Sequence, residues 1–204
     1  MSKALDRRTY ERLRDAMLTF VADHPHTAVE PFKESTANWG HKWCAGNSFH
    51  LRAAEYLTSA LSSTTEQTRA LTALFERERA GLKWERTYTE ADPAVSADLI
   101  ERYGFVEFIG EEGPFVSDRV RAGVGAWGPY VHYPAHRHQA EEIYILLAGS
   151  AYFQFNAGPA RLQRAGDAVY VPSMLTHGFR TGADPLVVLY VWQAGDLREK
   201  STFV

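Results

Sequence analysis

The 204-residue chain has a single cysteine, Cys44, so no disulfide can form within it and no cysteine-based zinc finger can be built. Any metal must therefore be held by histidine and carboxylate side chains, and a reducing compartment suits the chain. Long apolar runs are missing too. No stretch approaches about 18 consecutive apolar residues, and the opening "MSKALDRRTYERLRDAML" lacks the apolar segment of a signal peptide. The expectation is a cytoplasmic protein with neither export nor a membrane span. Charge of one sign is not in excess. A net charge of −3 and a pI near 6.2 give no bulk attraction for phosphate backbones or anionic lipid, which argues against nucleic-acid and membrane partners. Repeats and low-complexity tracts are also lacking. What is present is a hydrophobic share of 45% against 23% charged residues, the balance of a folded globular chain.

Two textures meet near residue 104, dividing a helical region (1–103) from a β-rich one (104–204). Leu13, Ala16, Met17, Phe20 and Val21 recur at the spacing of one helical face, which predicts a helix from Asp6 to about Asp23. A second helix is expected over Ser48 to Leu61. A third follows Ser63, which stands in capping-box relation to Glu66, and Gly81 closes it. A short fourth runs from Ser96 to Tyr103 and stops at Gly104. Residues 24–47, rich in turn residues and aromatics, are expected to be irregular. Beyond Gly104, runs such as "SAYFQFNAG", "DAVYVPS" and "PLVVLYVW" alternate with glycine, proline and aspartate signals, the pattern of a sandwich or small barrel. The helices need a partner face, so the helical region is not expected to fold by itself.

The stretch "HRHQAEEIYILLAG" (136–149) carries the chemistry. If residues 136–146 form one strand, alternation sends His136, His138, Glu142 and Tyr144 to one face and Glu141 to the other. Two imidazoles and a carboxylate inside a barrel are costly to bury without a cation or a dense hydrogen-bond network. His177, just beyond the turn at Pro172, is a fourth candidate. A lone histidine on an apolar face is more often a hydrogen-bonded core residue, so the shared face and the spacing carry this reading. His24, His26, His41, His50 and His132 lack such spacing and read as surface or structural.

The two segments resemble the paired motifs of the cupin superfamily. The first motif, H-x-H, three residues, E, six residues, G, is met by His136, His138, Glu142 and Gly149. The second, G, five residues, P-x-G, two residues, H, three residues, N, is met by Gly166, Pro172 and His177. Met174 stands in place of its glycine, Thr181 in place of its asparagine, and the glycine ahead of the first motif, Gly128, lies two residues further off than usual. The resemblance implies a double-stranded β-helix, or jelly-roll, barrel, mainly β with an α-helical N-terminal part. It also implies one divalent transition metal ion held by His136, His138, Glu142 and His177; Fe(II), Mn(II), Zn(II), Ni(II) and Co(II) all accept such ligands. From Trp84 to Lys200, and most closely from Tyr133 to Trp192, the chain looks like the bacterial cupin lyases that cleave dimethylsulfoniopropionate into dimethyl sulfide and acrylate. That resemblance makes Tyr144 and Tyr133 active-site residues. It further implies a small-molecule substrate and suits a homodimer.

Such a reaction removes the proton α to a carboxylate and expels neutral dimethyl sulfide from the β-carbon, so carbon acidity is the obstacle. A cation beside the carboxylate stabilises the carbanion, and a nearby tyrosine, drawn down from its reference pKa of about 10, can act as base. Tyr144 is the expected base, with Tyr133 as the alternative or assisting group. The sulfonium suits an aromatic face. Trp192 is the first candidate, followed by Tyr88, Trp39 and Trp43 from a helical region expected to lid the barrel mouth, where packing is their more ordinary role. Two other readings stand beside this one. The first is another metal cupin enzyme, either an Fe(II) dioxygenase, separable by its need for oxygen, or a lyase for a related small carboxylate. The second is a non-catalytic ligand-binding cupin.

Overall fold

The computed structural model describes residues 3–37, 39 and 41–204. Helix α1 (Arg7–Ala22) begins where the Asp6 carboxylate accepts a hydrogen bond from the Thr9 N–H, and it buries the stripe Tyr10, Leu13, Met17 and Val21. The segment expected to be irregular holds a 3-10 turn, Thr27–Val29, that runs into α2 (Glu30–Ala37). Pro31 masks this helix in the sequence, yet a proline in the first turn removes an N–H that has no intrahelical partner. The helix expected over Ser48–Leu61 is broken. Phe49 exchanges backbone hydrogen bonds with Leu82 and Trp84, which keeps its segment extended. Helical structure starts only with a 3-10 turn at Arg52–Glu55, then α3 (Tyr56–Ala60) and a second 3-10 turn, Leu61–Ser63.

The capping box belongs to Thr65 and Thr68, because the Ser63 hydroxyl donates to the Ala60 carbonyl instead. Helix α4 (Glu66–Glu78) follows, and a further 3-10 turn carries the chain to Gly81. Helix α5 (Ala97–Arg102) is capped by Ser96 and ends before Tyr103, which already opens a strand with Gly104 inside it.

Eleven strands are described: β1 (Tyr103–Gly110), β2 (Phe115–Val116), β3 (Val120–Trp127), β4 (His132–Arg137), β5 (Glu141–Ala148), β6 (Ser150–Phe155), β7 (Arg161–Arg164), β8 (Ala168–Val171), β9 (His177–Thr181), β10 (Leu186–Gln193) and β11 (Thr202–Phe203). They form a six-stranded sheet, β2-β1-β3-β10-β5-β8, and a five-stranded sheet, β11-β4-β9-β6-β7. Only the β1–β2 pair is parallel among these neighbours. The two sheets enclose one interior, and the result is a cupin β-barrel with N-terminal helices.

The six-stranded sheet is buried on both faces, so its strands read as nearly continuous apolar runs. Its outer side chains, including Val124, Ile145, Leu147 and Leu189, share one core with Leu13, Met17, Leu57 and Phe75 of the helices. Full burial of each such aliphatic side chain is worth about 1.5–3 kcal/mol. Trp39 is buried in this outer core, and the Trp43 ring packs against Tyr10 and Phe115 at 5.7 and 5.3 Å. Neither reaches the barrel interior: α1 to α4 cover the outer face of the sheet, whereas Leu99 of α5 packs in the inner core with Tyr88 and Tyr103. Among the described residues no helix is long and apolar enough to cross a membrane.

Candidate active site

His136 on β4 and His177 on β9 are direct cross-strand partners, with ring centroids 4.2 Å apart. The single strand expected over residues 136–146 is instead two strands in different sheets. β4 stops at Arg137, residues 138–140 turn, and β5 starts at Glu141. The turn, not alternation, brings His138 inward: its Nδ1 lies 2.9 Å from the Ala140 carbonyl and its Nε2 lies 3.0 Å from Glu142 Oε2. Within β5 the alternation does hold. Glu142 and Tyr144 face the barrel, while Glu141 faces outward and accepts a hydrogen bond from Gln193 Nε2.

Tyr133 also points inward although it stands three residues before His136. The β4–β9 register slips between these two positions, around Pro134, and this irregularity turns both side chains to the same side. The motif departures are absorbed locally. Met174 adopts φ +62°, the left-handed conformation that explains a glycine at that place, and its N–H donates to the His138 carbonyl at 2.9 Å. The Thr181 hydroxyl donates to the Gly128 carbonyl and accepts from the Val131 N–H, both at 2.8 Å, and so pins the loop before β4.

Each of the three histidines directs Nδ1 at a backbone carbonyl: Pro134 at 2.8 Å, Ala140 at 2.9 Å and Leu175 at 2.9 Å. An Nδ1–H held this way orients the ring and frees Nε2 as a ligand. One nitrogen from each ring falls within a 4.8 Å cluster. His177 Nε2 is buried with no hydrogen-bond partner among the described residues, and Glu142 Oε2 lies 3.6 Å from it. A buried, unpartnered imidazole nitrogen beside two further imidazoles fits a divalent transition metal; the cluster consists of the three histidines, with Glu142 next to it.

The electrostatics agree. Burial, then the neighbouring His177, pushes the His136 pKa down to about 3, which keeps that ring neutral and able to ligate. Burial would raise the Glu142 carboxyl, but the hydrogen bond from His138 and the proximity of both His138 and His177 outweigh it and hold it well below the usual carboxylate range. Burial opposes charge on His138 as well, and there the Glu142 hydrogen bond wins and raises it. Tyr144 is driven well above the ordinary phenol range, first by burial and then by the charge of Glu142. Burial does the same to Tyr133, whose hydroxyl donates to Tyr88 Oη at 3.3 Å.

Tyr133, His136, Glu142 and Tyr144, but not His138 or His177, line a pocket of about 490 Å³, counting its open mouth. His136, Glu142 and Tyr144 form one side, and Tyr88, Tyr103, Trp127 and Tyr133 form an aromatic wall. Trp192 stands opposite Glu142 in the β5–β10 pairing, and its ring stacks on His138 at 4.1 Å. Tyr88 thus joins the site while Trp39 and Trp43 do not. The pocket also holds residues that the motif pattern passes over: Tyr103, Trp127, Tyr190, Arg121 and Glu199. A signal for Trp127, Tyr190 and Arg121 was available in strand parity, whereas Tyr103 falls where the sequence predicts the end of a helix. Tyr190 alternates with Trp192 on β10, and Arg121 alternates with Trp127 on β3.

A family model described as dimethylsulfoniopropionate lyase matches residues 44–188, a span that includes both motif segments. The dimethylsulfoniopropionate lyase DddQ of Ruegeria pomeroyi is 38% identical over 134 residues, which is 66% of this chain and 65%, just under two thirds, of that relative's own length. A putative dimethylsulfoniopropionate lyase, DddL of Cereibacter sphaeroides, is 26% identical over 192 residues, covering 92% of this chain and 72% of the relative. The crystal structure of DddQ from Ruegeria pomeroyi DSS-3 superposes with a TM-score of 0.83 at 28% identity, over 98% of both chains. With the family model spanning more than half of the sequence and the whole barrel superposing, the chain belongs to the dimethylsulfoniopropionate lyase family.

Proposed function

We propose that the protein is a metal-dependent carbon–sulfur lyase that cleaves dimethylsulfoniopropionate by β-elimination into dimethyl sulfide and acrylate. The observation that carries this reading is the convergence of three buried imidazoles and Glu142 beside Tyr144, in a pocket walled by aromatic rings. His136, His138, Glu142 and His177 are the metal ligands in this reading. A divalent cation held there supplies positive charge, which stabilises a carbanion conjugated to a carboxylate and opposes the burial that keeps Tyr144 protonated.

Tyr144, as phenolate, takes the α-proton. The C–H electron pair becomes the new Cα=Cβ bond, the Cβ–S bond breaks, and dimethyl sulfide leaves as a neutral molecule. Tyr133, hydrogen-bonded to Tyr88, is the assisting group that holds the aromatic wall against the substrate. The sulfonium rests on that wall, where ring quadrupoles attract a cation without an anionic partner that would resist its departure. Trp192 lies beside the ligand cluster but already carries the Arg121 guanidinium 5.3 Å from its ring centroid. Its contribution is to shape the pocket next to His138; Tyr88 likewise carries the Lys200 ammonium, 5.5 Å from its ring centroid, so the Tyr103 and Tyr133 rings make the cation contact.

The test is headspace gas chromatography of dimethyl sulfide released by purified protein, with each divalent metal added back under nitrogen. Release that needs metal and persists without oxygen supports the lyase. Turnover only in the presence of oxygen would assign the site to an oxygenase instead.

A further inference from the structure

One corner of the pocket is not used by the elimination chemistry above. Arg121 on β3 stands opposite Trp192, and Gly123 stands opposite Tyr190, in the β3–β10 register. Arg121 and Tyr190 are therefore diagonal neighbours on the inner face of the barrel. The absence of a side chain at position 123 makes room for the Tyr190 phenol, since a Cβ there would lie 2.7 Å from its hydroxyl. That hydroxyl is buried with no hydrogen-bond partner among the described residues, although the residue lines the pocket and is only 8% exposed. A buried phenol donor left unmatched calls for an acceptor that the protein itself does not provide.

The guanidinium beside it is fixed from behind. Arg121 Nε donates to Glu107 Oε2 at 2.7 Å and Nη1 donates to the Leu197 carbonyl at 3.3 Å. The group also packs over Trp192 and over Phe105, 5.3 and 5.7 Å from the ring centroids. These bonds use Nε and Nη1, and Arg121 lines the pocket with the rest of its guanidinium not engaged by any hydrogen bond among the described residues. A rigid guanidinium edge next to an unmatched hydroxyl makes a pair of donors suited to a planar, two-oxygen anion.

We propose that Arg121 and Tyr190 form a carboxylate subsite that selects short-chain carboxylates and fixes which end of a zwitterionic substrate enters first. Glu107 is its positioning residue, orienting the guanidinium without touching the ligand. The charge order follows: the anionic end lies toward Arg121, and the cationic end lies toward the Tyr103 and Tyr133 rings rather than toward Tyr88, whose ring centroid is 5.5 Å from the Lys200 ammonium. The part of this inference that concerns dimethylsulfoniopropionate rests on the lyase reading; the carboxylate subsite itself does not.

The experiment is isothermal titration calorimetry of the metal-loaded protein with propionate and, separately, with trimethylsulfonium, alongside dimethyl sulfide kinetics. Tyr190→Phe keeps the ring and removes only the hydroxyl. Arg121→Gln combined with Glu107→Gln removes the guanidinium without stranding a buried carboxylate. Propionate binding is expected to weaken by about tenfold in Tyr190→Phe and by more in the double variant, since hydrogen bonds to charged groups are the strong ones. Trimethylsulfonium binding should stay within about twofold of the parent protein or tighten, and Arg121→Lys should restore part of the propionate affinity. In the kinetics, KM should rise more than kcat falls. Melting temperature and metal content certify that each variant is folded and loaded.

Propionate affinity unchanged in both folded variants, or no propionate binding by the parent protein, would overturn the subsite even if dimethyl sulfide is produced. Loss of propionate binding in the variants of a protein that releases no dimethyl sulfide would uphold the subsite while the lyase reading fails.

Discussion

The two faces of the six-stranded sheet are built from the same strands, and they do opposite things. On β5, Ile143, Ile145 and Leu147 face the helices while Glu142, Tyr144 and Leu146 face the barrel. On β10, Val187, Leu189 and Val191 face the helices while Val188, Tyr190 and Trp192 face the barrel. Both faces are buried, yet the outer one is aliphatic and the inner one carries aromatics, Glu107, Glu142 and Arg121. A slip of one residue would exchange the two sets, so the aliphatic face holds the register that the chemical face depends on. The outer face stabilises the fold by burial. The inner face holds groups whose desolvation is costly and which are matched only in part by protein partners.

The largest effect that would test this division is on the inner face. His177→Ala removes one imidazole of the cluster, and metal content measured by plasma emission should fall to background together with dimethyl sulfide release. Full metal occupancy in that variant would take His177 out of the ligand set. Tyr144→Phe should retain metal and melting temperature while lowering turnover by about 10²–10⁴-fold, the range for loss of a general base. Turnover within tenfold of the parent would assign the proton transfer elsewhere.

On the outer face, Leu189→Ala should lower the unfolding free energy by about 2–5 kcal/mol in urea titrations while kcat well below the melting temperature stays within about twofold. A marked loss of turnover with little loss of stability would contradict the separation of the two faces. The smallest effect lies one layer further out. Thr65→Ala removes the α4 cap, should cost about 1 kcal/mol, and should leave metal content unchanged; a loss of metal would reveal coupling from that helix to the site.

Some of this was legible in the residues and some was not. The spacing in "HRHQAEEIYILLAG" separates Glu142 from Glu141, and the structure keeps that separation. The reason assumed for His138 was different from the actual one, because a turn between two sheets, rather than a continuous strand, delivers it. Pro134 obscures the inward position of Tyr133, since a register slip has no signature in an alternation pattern. Pro31 likewise hides α2. Trp39 and Trp43 read as aromatics that could reach the mouth, and both are packed beneath the helices instead. Arg121 and Tyr190 fall outside the motifs and meet only through the β3–β10 register.

The sequence by itself determined the residue types available for metal chemistry, through one cysteine and a motif of spaced histidines and a glutamate, and it narrowed the β-rich half to a sandwich or small barrel through short strand-like runs between turn signals. Those are local properties, fixed by period and spacing along the chain. The tertiary structure alone decided which side chains share the pocket, because cross-strand pairing joins residues as distant as Glu107, Arg121 and Tyr190, and pairing distance bears no relation to distance along the sequence.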